Sequence, residues 1–157
     1  MIDKRSKKIQ RLRKQLDDCV AKNCKINPKK SIKQRYLERS KCKETVPECK
    51  KINLEGNKEW ESGTIERYKN SLKRNEFLLN YVKKNKITDI SQVDFNKFYS
   101  KNKKYFTDLS KITAEAELKE AISGDLKNWD KLDRRELRMA EKRLEKINRE
   151  LRKLEGN

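Results

Sequence analysis

The four cysteines of the chain, Cys19, Cys24, Cys42 and Cys49, constrain its fold more than any other feature. In an antiparallel helical hairpin, facing residues have a nearly constant sum of residue numbers. That sum is 68 for Cys19 with Cys49 and 66 for Cys24 with Cys42. Both pairs indicate a turn near residue 33, close to the break KINPKKS. The spacing therefore predicts a helical hairpin with two disulfides, provided that the paired Cα atoms come within about 7 Å.

Two other states of the cysteines are compatible with the sequence. Four thiolates can bind Zn²⁺ tetrahedrally. Positions i and i+5 differ by about 140° around a helix, however, so Cys19 and Cys24 could chelate one ion only if the helix ended between them. The cysteines could also be reduced and serve as small core residues. Disulfides would indicate an oxidising compartment or an assembly with its own thiol oxidation.

The composition predicts an all-α fold. Apolar residues make up 33% of the chain and charged residues 43%, against averages of about 45–50% and about 25%. Long amphipathic helices that each bury a narrow stripe suit this composition better than a globule with a broad core. With 4 Gly and 2 Pro, the chain also lacks the turn residues that many short strands need.

The first 53 residues are predicted to form a basic, cysteine-linked helical hairpin. Its first helix spans about 3–25 and its second about 32–44, with Ser31 as a possible N-cap. Pro47 is expected to end or kink the second arm. On the first helix an apolar stripe contains Ile9, Leu12, Leu16 and Cys19, at steps of 3, 4 and 3. A basic stripe repeats the same steps with Lys4, Lys7, Arg11 and Lys14, of which Arg11 and Lys14 come two residues after Ile9 and Leu12. Since two residues turn a helix by about 200°, the basic stripe lies nearly opposite the packed one.

Two further regions complete the predicted organisation. The stretch NLEGN at 53–57 is interpreted as a boundary, followed at 57–112 by a small helical core that contains most of the aromatic residues. The last region, 113–157, is predicted to hold a short helix ending at Gly124 and a long amphipathic helix from about Asp125 to Leu154. That helix contains a heptad seam: Leu137, Ala140, Leu144, Ile147, Leu151 and Leu154. The seam is expected to pack on its own chain or, as in a coiled coil, on a partner helix or homodimer.

The positive charge is concentrated at the cysteine end. The formal charge is +18, of which residues 1–53 contribute +12, residues 54–112 +5 and residues 113–157 +1. A polyanion relieves the repulsion within such a region, so nucleic acid is the first partner to expect. The predicted phosphate contacts are Lys4, Arg5, Lys7, Lys8, Arg11, Arg13, Lys14, Lys29, Lys30, Lys33 and Arg35, with Tyr36 as a candidate for base stacking. The alternative is that these Lys-rich faces are only solvated helix surfaces.

The chain lacks residues that several classes of enzyme and metal site require. The chain has no histidine, which removes Ser-His-Asp and Cys-His catalysis and histidine-containing metal sites. It has no P-loop or Gly-rich dinucleotide motif. We therefore expect a non-enzymatic protein without a cofactor, apart from the Zn²⁺ alternative at the cysteines.

The expected location is intracellular. No signal peptide or long apolar segment is visible, so the protein is predicted to be soluble and made in the cytosol, with a virion or an organelle as further destinations. A membrane partner is not expected, because the basic faces lack the large apolar stripe that interfacial helices insert.

The stretch SGTIERYKNSLKRNEFLLNYVKKNKITDISQVDFNKFYS, residues 62–100, resembles the start of the core-binding, SAM-like domain of tyrosine recombinases. The matching positions are Thr64, Ile65, Tyr68, Leu72, Leu78, Tyr81, the run Ile87 to Ile90, Asp94 and Phe98. The resemblance implies a small helical clamp that grips DNA by its backbone. We expect no recombinase activity, because the chain lacks the histidine of that family's catalytic Arg, His and Tyr constellation.

Two functional hypotheses emerge. The first is a non-catalytic protein that binds nucleic acid, DNA in particular, through the phosphate backbone. The second is a structural or assembly subunit of a virion or a large organellar complex, with the disulfide-linked hairpin as a strut and the C-terminal seam as its docking surface.

Overall fold

The computed structural model describes residues 4–156, and within them it contains helices and turns but no strand. The predicted all-α fold is confirmed. The predicted hairpin at 1–53 and the predicted C-terminal region at 113–157 include residues 1–3 and residue 157, which lie outside the described residues. The helices are α1 (Lys4–Asn23), α2 (Ile32–Thr45), α3 (Pro47–Lys84), α4 (Phe95–Lys101), α5 (Lys111–Ser123) and α6 (Leu126–Glu155).

The helix boundaries follow local sequence signals. Ser31 and Gln34 form a reciprocal capping box at the start of α2. Val46 is extended, with φ −83° and ψ 114°, and Pro47 is the first residue of α3, where a missing N–H costs nothing. At the end of α5, Gly124 adopts the left-handed conformation with φ 89°, which only glycine enters without strain. The predicted end of this helix at Gly124 is confirmed.

The boundary predicted at residues 53–57 is wrong. Helix α3 continues through NLEGN without interruption. A glycine inside a helix costs only about 1 kcal/mol, which packing readily offsets. Leu54 and Gly56 are half-buried, and a Cβ added to Gly56 would lie 4.0 Å from the Cβ of Leu12.

The chain divides into two compact units whose bounds differ from the predicted regions. The first unit comprises Met1–Thr64 and Ala140–Asn157, and the second comprises Ile65–Met139. The last half of α6 thus belongs with the N-terminal segments and not with α5. A pattern of heptads identifies a stripe that must be buried, but it does not identify the segment that covers it.

Ion pairs within the first unit show how its part of α6 packs. Arg143 Nε donates to Glu61 Oε1 at 2.7 Å, and Lys50 Nζ lies 3.5 Å from Glu150 Oε2. Because the residue number rises on one helix as it falls on the other, α3 and α6 run antiparallel here. Lys153 and Lys50 hold the pKa of Glu150 below its usual range.

The predicted seam on α6 is covered to a large extent by this chain. Ala140 is fully buried and Leu151 is 7% exposed. The other four seam residues, Leu137, Leu144, Ile147 and Leu154, are half-buried. Intramolecular packing thus accounts for the stripe. A partner helix or homodimer on the same seam stays a prediction.

The second unit has an aromatic core, as the aromatic content of the middle region predicted. Its buried residues are Leu78, Phe98, Phe106, Ala114, Leu118, Ala121 and Leu126. Phe77 stacks on Tyr105 with ring centroids 4.0 Å apart, and Tyr81 lies 4.6 Å from Phe98. Such pairs add about 0.5–1.5 kcal/mol beyond the area that they bury.

The second unit also contains a buried arginine that forms ion pairs with two carboxylates. Arg74 is 4% exposed. Its Nε donates to Glu117 Oε2 at 2.6 Å, and its Nη1 donates to Asp108 Oδ1 at 3.0 Å. Burial raises the pKa of Glu117, although the hydrogen bond from Arg74 opposes that rise. The guanidinium thereby joins α3 to α5 and to the loop that precedes α5.

Candidate nucleic-acid interface

Two disulfides join the elements at the N-terminal end of the chain. Cys19 of α1 is bonded to Cys49, with Cα atoms 5.6 Å apart, and Cys24 is bonded to Cys42 of α2, with Cα atoms 6.3 Å apart. These are the two pairs that the residue sums predicted. The four cysteines contribute no free thiol.

The hairpin that these disulfides were expected to bridge differs in one respect. Cys49 lies on α3 and not on the second arm, because the second arm ends before Pro47, which is one of the two expected outcomes, and Pro47 begins a new helix. One disulfide therefore joins α1 to α3, and the other joins the end of α1 to α2. The pairing prediction survives because Cys49 lies only two residues beyond Pro47.

The disulfides also form much of the core of the first unit. Its buried cluster contains Leu16, Cys19, Val20, Cys42 and Cys49, with Cys24, Ile26, Val46 and Ile52 packed around it. The side-chain amide of Asn23 donates to the carbonyl of Cys19 at 2.9 Å at the end of α1. A core with so few large apolar residues gains little from burial alone, so the covalent links carry a large share of its stability.

Within residues 4–156, no group of three or more His, Cys, Asp or Glu side chains is arranged to hold a metal ion. The zinc alternative requires reduced thiols and stays a prediction for that state.

The predicted basic stripe of α1 is exposed. Lys4, Lys7, Arg11 and Lys14 all lie on the solvent side, while Leu12 and Leu16 are buried on the opposite side. Among the described residues, none of these four cations has an ion-pair partner. We call this set the α1 basic face.

The other three predicted cations of α1 lie off this face. Lys8 forms an ion pair with Glu59 of α3. Arg5 is half-buried, and its Cδ lies 3.2 Å from where a Cβ on Gly63 would be. Arg13 is exposed at the edge of a shallow cavity of about 360 Å³ that Trp60 also lines. Since two of the three are engaged within the fold, sequence position alone overestimated the binding set.

The predicted cations of the turn and of α2 also separate into two groups. Lys29 and Lys33 are exposed. Lys30 instead forms an ion pair with Glu38 of α2, and Arg35 is half-buried. Lys29 and Lys33 can therefore contact an external phosphate without breaking an ion pair among the described residues.

Helix α2 carries three large apolar or aromatic side chains on its surface. Ile32, Tyr36 and Leu37 are 79%, 71% and 56% exposed, so Tyr36, the predicted candidate for base stacking, is accessible. Only Cys42 is fully buried on this helix. The signal that could have identified the exposed residues is the absence of a repeating apolar stripe on α2.

No known protein family, curated protein or solved structure matches this chain. The stretch 62–100 that resembles the recombinase core-binding domain forms the second half of α3, a connection with a short 3-10 helix at Ile90–Gln92, and most of α4. The resemblance itself stays a prediction.

None of the helices in residues 4–156 combines the length and the apolar character needed to cross a bilayer.

Proposed function

We propose that the protein is a non-catalytic nucleic-acid-binding protein that contacts the phosphate backbone through its disulfide-linked N-terminal unit. The α1 basic face is the observation that carries this proposal. Four exposed cations lie along one side of a single helix, and none is engaged in an ion pair among the described residues.

The geometry of a helix suits this role. Lys4, Lys7, Arg11 and Lys14 span about 15 Å along the axis at 1.5 Å per residue, which covers several phosphates of an extended strand or of one groove edge. Lys29 and Lys33 add two further exposed cations in the same unit. The disulfides hold α1, α2 and the start of α3 together against the mutual repulsion of these charges.

Such binding should depend steeply on salt. Each phosphate neutralised on duplex DNA contributes about 0.9 to the negative slope of log K against log salt concentration, and about 0.7 on a single strand. Fluorescence anisotropy with labelled oligonucleotides over a range of salt concentrations measures that slope. A slope near zero, or no binding at low salt, would contradict the proposal.

A charge-matched pair of variants locates the contact. The test variant replaces Lys4, Lys7, Arg11 and Lys14 by Gln. The control replaces four exposed lysines of the second unit by Gln, namely Lys83, Lys97, Lys101 and Lys127. Both variants lose four charges, so a difference between them reflects position and not net charge.

We expect the test variant to lose about 3 units of salt slope and at least tenfold in affinity, because up to four phosphate contacts are removed. The control should stay within about threefold of the parent protein. Equal losses in the two variants would mean that only overall charge matters and would exclude the α1 basic face as the binding surface.

A structural or assembly role is the second candidate, and the exposed apolar residues of α2 favour it. Ile32, Tyr36 and Leu37 are unusual on an otherwise polar helix, and such patches often mark protein interfaces. Sedimentation at micromolar concentration tests self-assembly. If the protein sediments strictly as a monomer, its partner in a structural role must be a different protein.

A further inference from the structure

A groove lies beside α2 on the side that faces α1. It has a volume of about 810 Å³, and its lining includes Asp17, Asp18, Ile32, Arg35, Tyr36 and Arg39. That volume is in the range of small-molecule sites, about 300–1,000 Å³. Unlike the α1 basic face, the groove combines an aromatic ring with both cationic and anionic side chains.

The ring of Tyr36 supplies a stacking surface. Its side chain is 71% exposed, and Ile32, one turn earlier on α2, extends the apolar edge of the groove. An exposed aromatic ring beside arginine side chains is how many proteins hold the unstacked bases of a single strand.

Arg35 supplies hydrogen-bond donors at the groove that it lines. Its Nε is buried without an acceptor among the described residues, and Glu38 Oε2 on the same helix is likewise buried without a donor. A guanidinium carries five N–H donors, so Arg35 has others that can donate to an acceptor on a ligand in the groove. The carbonyl oxygens and ring nitrogens of nucleobases are acceptors of this kind.

The carboxylates indicate which part of a nucleotide enters the groove. Asp17 accepts a hydrogen bond from Arg39 at 2.6 Å, while Asp18 is exposed and has no ion pair among the described residues. A carboxylate repels phosphate but accepts hydrogen bonds from the exocyclic amino groups of bases. The groove therefore suits a base, and the phosphates fit better on Lys29 and Lys33.

We propose that this groove holds an unpaired nucleobase stacked on Tyr36, which makes the protein selective for single-stranded over duplex nucleic acid. The inference rests on the proposed function, since the phosphate contacts supply the sequence-independent affinity. A base within a duplex is stacked on its neighbours and cannot reach the tyrosine ring without being extruded.

The experiment compares three ligands of equal length, about 20 nucleotides: a single strand, the corresponding duplex and a single strand of abasic residues. Anisotropy titrations at one fixed, low salt concentration use the parent protein, Tyr36→Ala and Tyr36→Phe. Leu37→Ala is the matched control, because Leu37 is also exposed on α2 but does not line the groove. Circular dichroism melting checks that each variant is folded.

We expect the parent protein to bind the single strand at least tenfold more tightly than the abasic strand, and more tightly than the duplex. Tyr36→Ala should remove about tenfold of the single-strand affinity, in keeping with the loss of one stacked base. Tyr36→Phe and Leu37→Ala should each stay within about threefold.

Equal affinities for the three ligands, or an unchanged Tyr36→Ala variant, would overturn the base-binding groove. The proposed function would still hold if the parent protein kept its salt-dependent binding. Failure of the parent protein to bind any ligand at low salt would overturn both. Loss of affinity in Leu37→Ala as large as in Tyr36→Ala would point instead to an apolar protein-binding patch and would also overturn the inference.

Discussion

The two units of the protein stabilise small helical cores in different ways. The first buries two disulfides and only a few aliphatic side chains, whereas the second buries a cluster of aromatic rings and contains no cysteine. The first unit also contains the most basic third of the sequence. Charge repulsion and a thin core both weaken a fold, and covalent links compensate for both without adding apolar surface.

Reduction of the disulfides should have the largest effect, and it should be confined to the first unit. The disulfides close loops with sequence separations of 30 and 18 residues. By restricting the unfolded chain, each stabilises the folded state by about 3 kcal/mol. Hydrogen exchange measured by mass spectrometry before and after reduction tests this. Peptides from residues 4–64 should lose protection while those from 65–139 keep it. Equal loss in the two units would contradict the contrast between them.

Phe106→Ala should destabilise the second unit by about 3–5 kcal/mol, because it leaves a cavity in place of a side chain that is 1% exposed. Single-tryptophan variants separate the two units: Trp129 reports on the second and Trp60 on the first. The denaturation midpoint reported by Trp129 should fall much more than the midpoint reported by Trp60. Phe95→Ala is the milder control, since that ring is only half-buried.

Arg74→Met should cost the second unit about 2–3 kcal/mol of unfolding free energy. The substitution removes a buried cation that forms ion pairs with Glu117 and Asp108. Glu117 is then left largely buried without a counter-ion. The loss is kept moderate because Asp108 is 43% exposed and can rehydrate. Urea denaturation measures the change. Asp108→Asn, which leaves the Glu117 contact in place, should cost less than about 1 kcal/mol.

The smallest expected effect is a pH dependence in the second unit. Burial raises the pKa of Glu117 above its ordinary value of 4.5, so between the two values the folded state binds more protons than the unfolded state. Its contribution to stability is therefore present below pH 4.5 and falls as pH rises through the folded pKa. Urea denaturation of the parent protein and of Glu117→Gln across this range tests the sign. A parent protein that gained stability relative to the variant with rising pH would contradict it.

Most of the fold could be predicted from local patterns. The capping signal at Ser31, the left-handed glycine at Gly124 and the aromatic content of the middle region all gave correct elements. The cysteine sums gave the disulfide pairs, because the distance constraint tolerates a change of helix between Cys42 and Cys49.

The errors arose where long-range packing overrides local preference. The NLEGN stretch has turn-forming residues, yet helix α3 continues through it, and Gly56 lies close to Leu12 of α1. The part of α6 from Ala140 onward forms ion pairs with α3, which is distant in sequence. Among the predicted contacts, Lys8 and Lys30 are engaged in ion pairs with Glu59 and Glu38 that no local pattern reveals.

The most direct test of the central claim is an amide chemical-shift titration of the oxidised protein with a single-stranded oligonucleotide. Binding by the disulfide-linked unit predicts that the largest shifts occur at residues 4–14 of α1 and at residues 29–36, and that amides of Ile65–Met139 change little. Shifts concentrated in Ile65–Met139, or no shifts at low salt, would contradict the account.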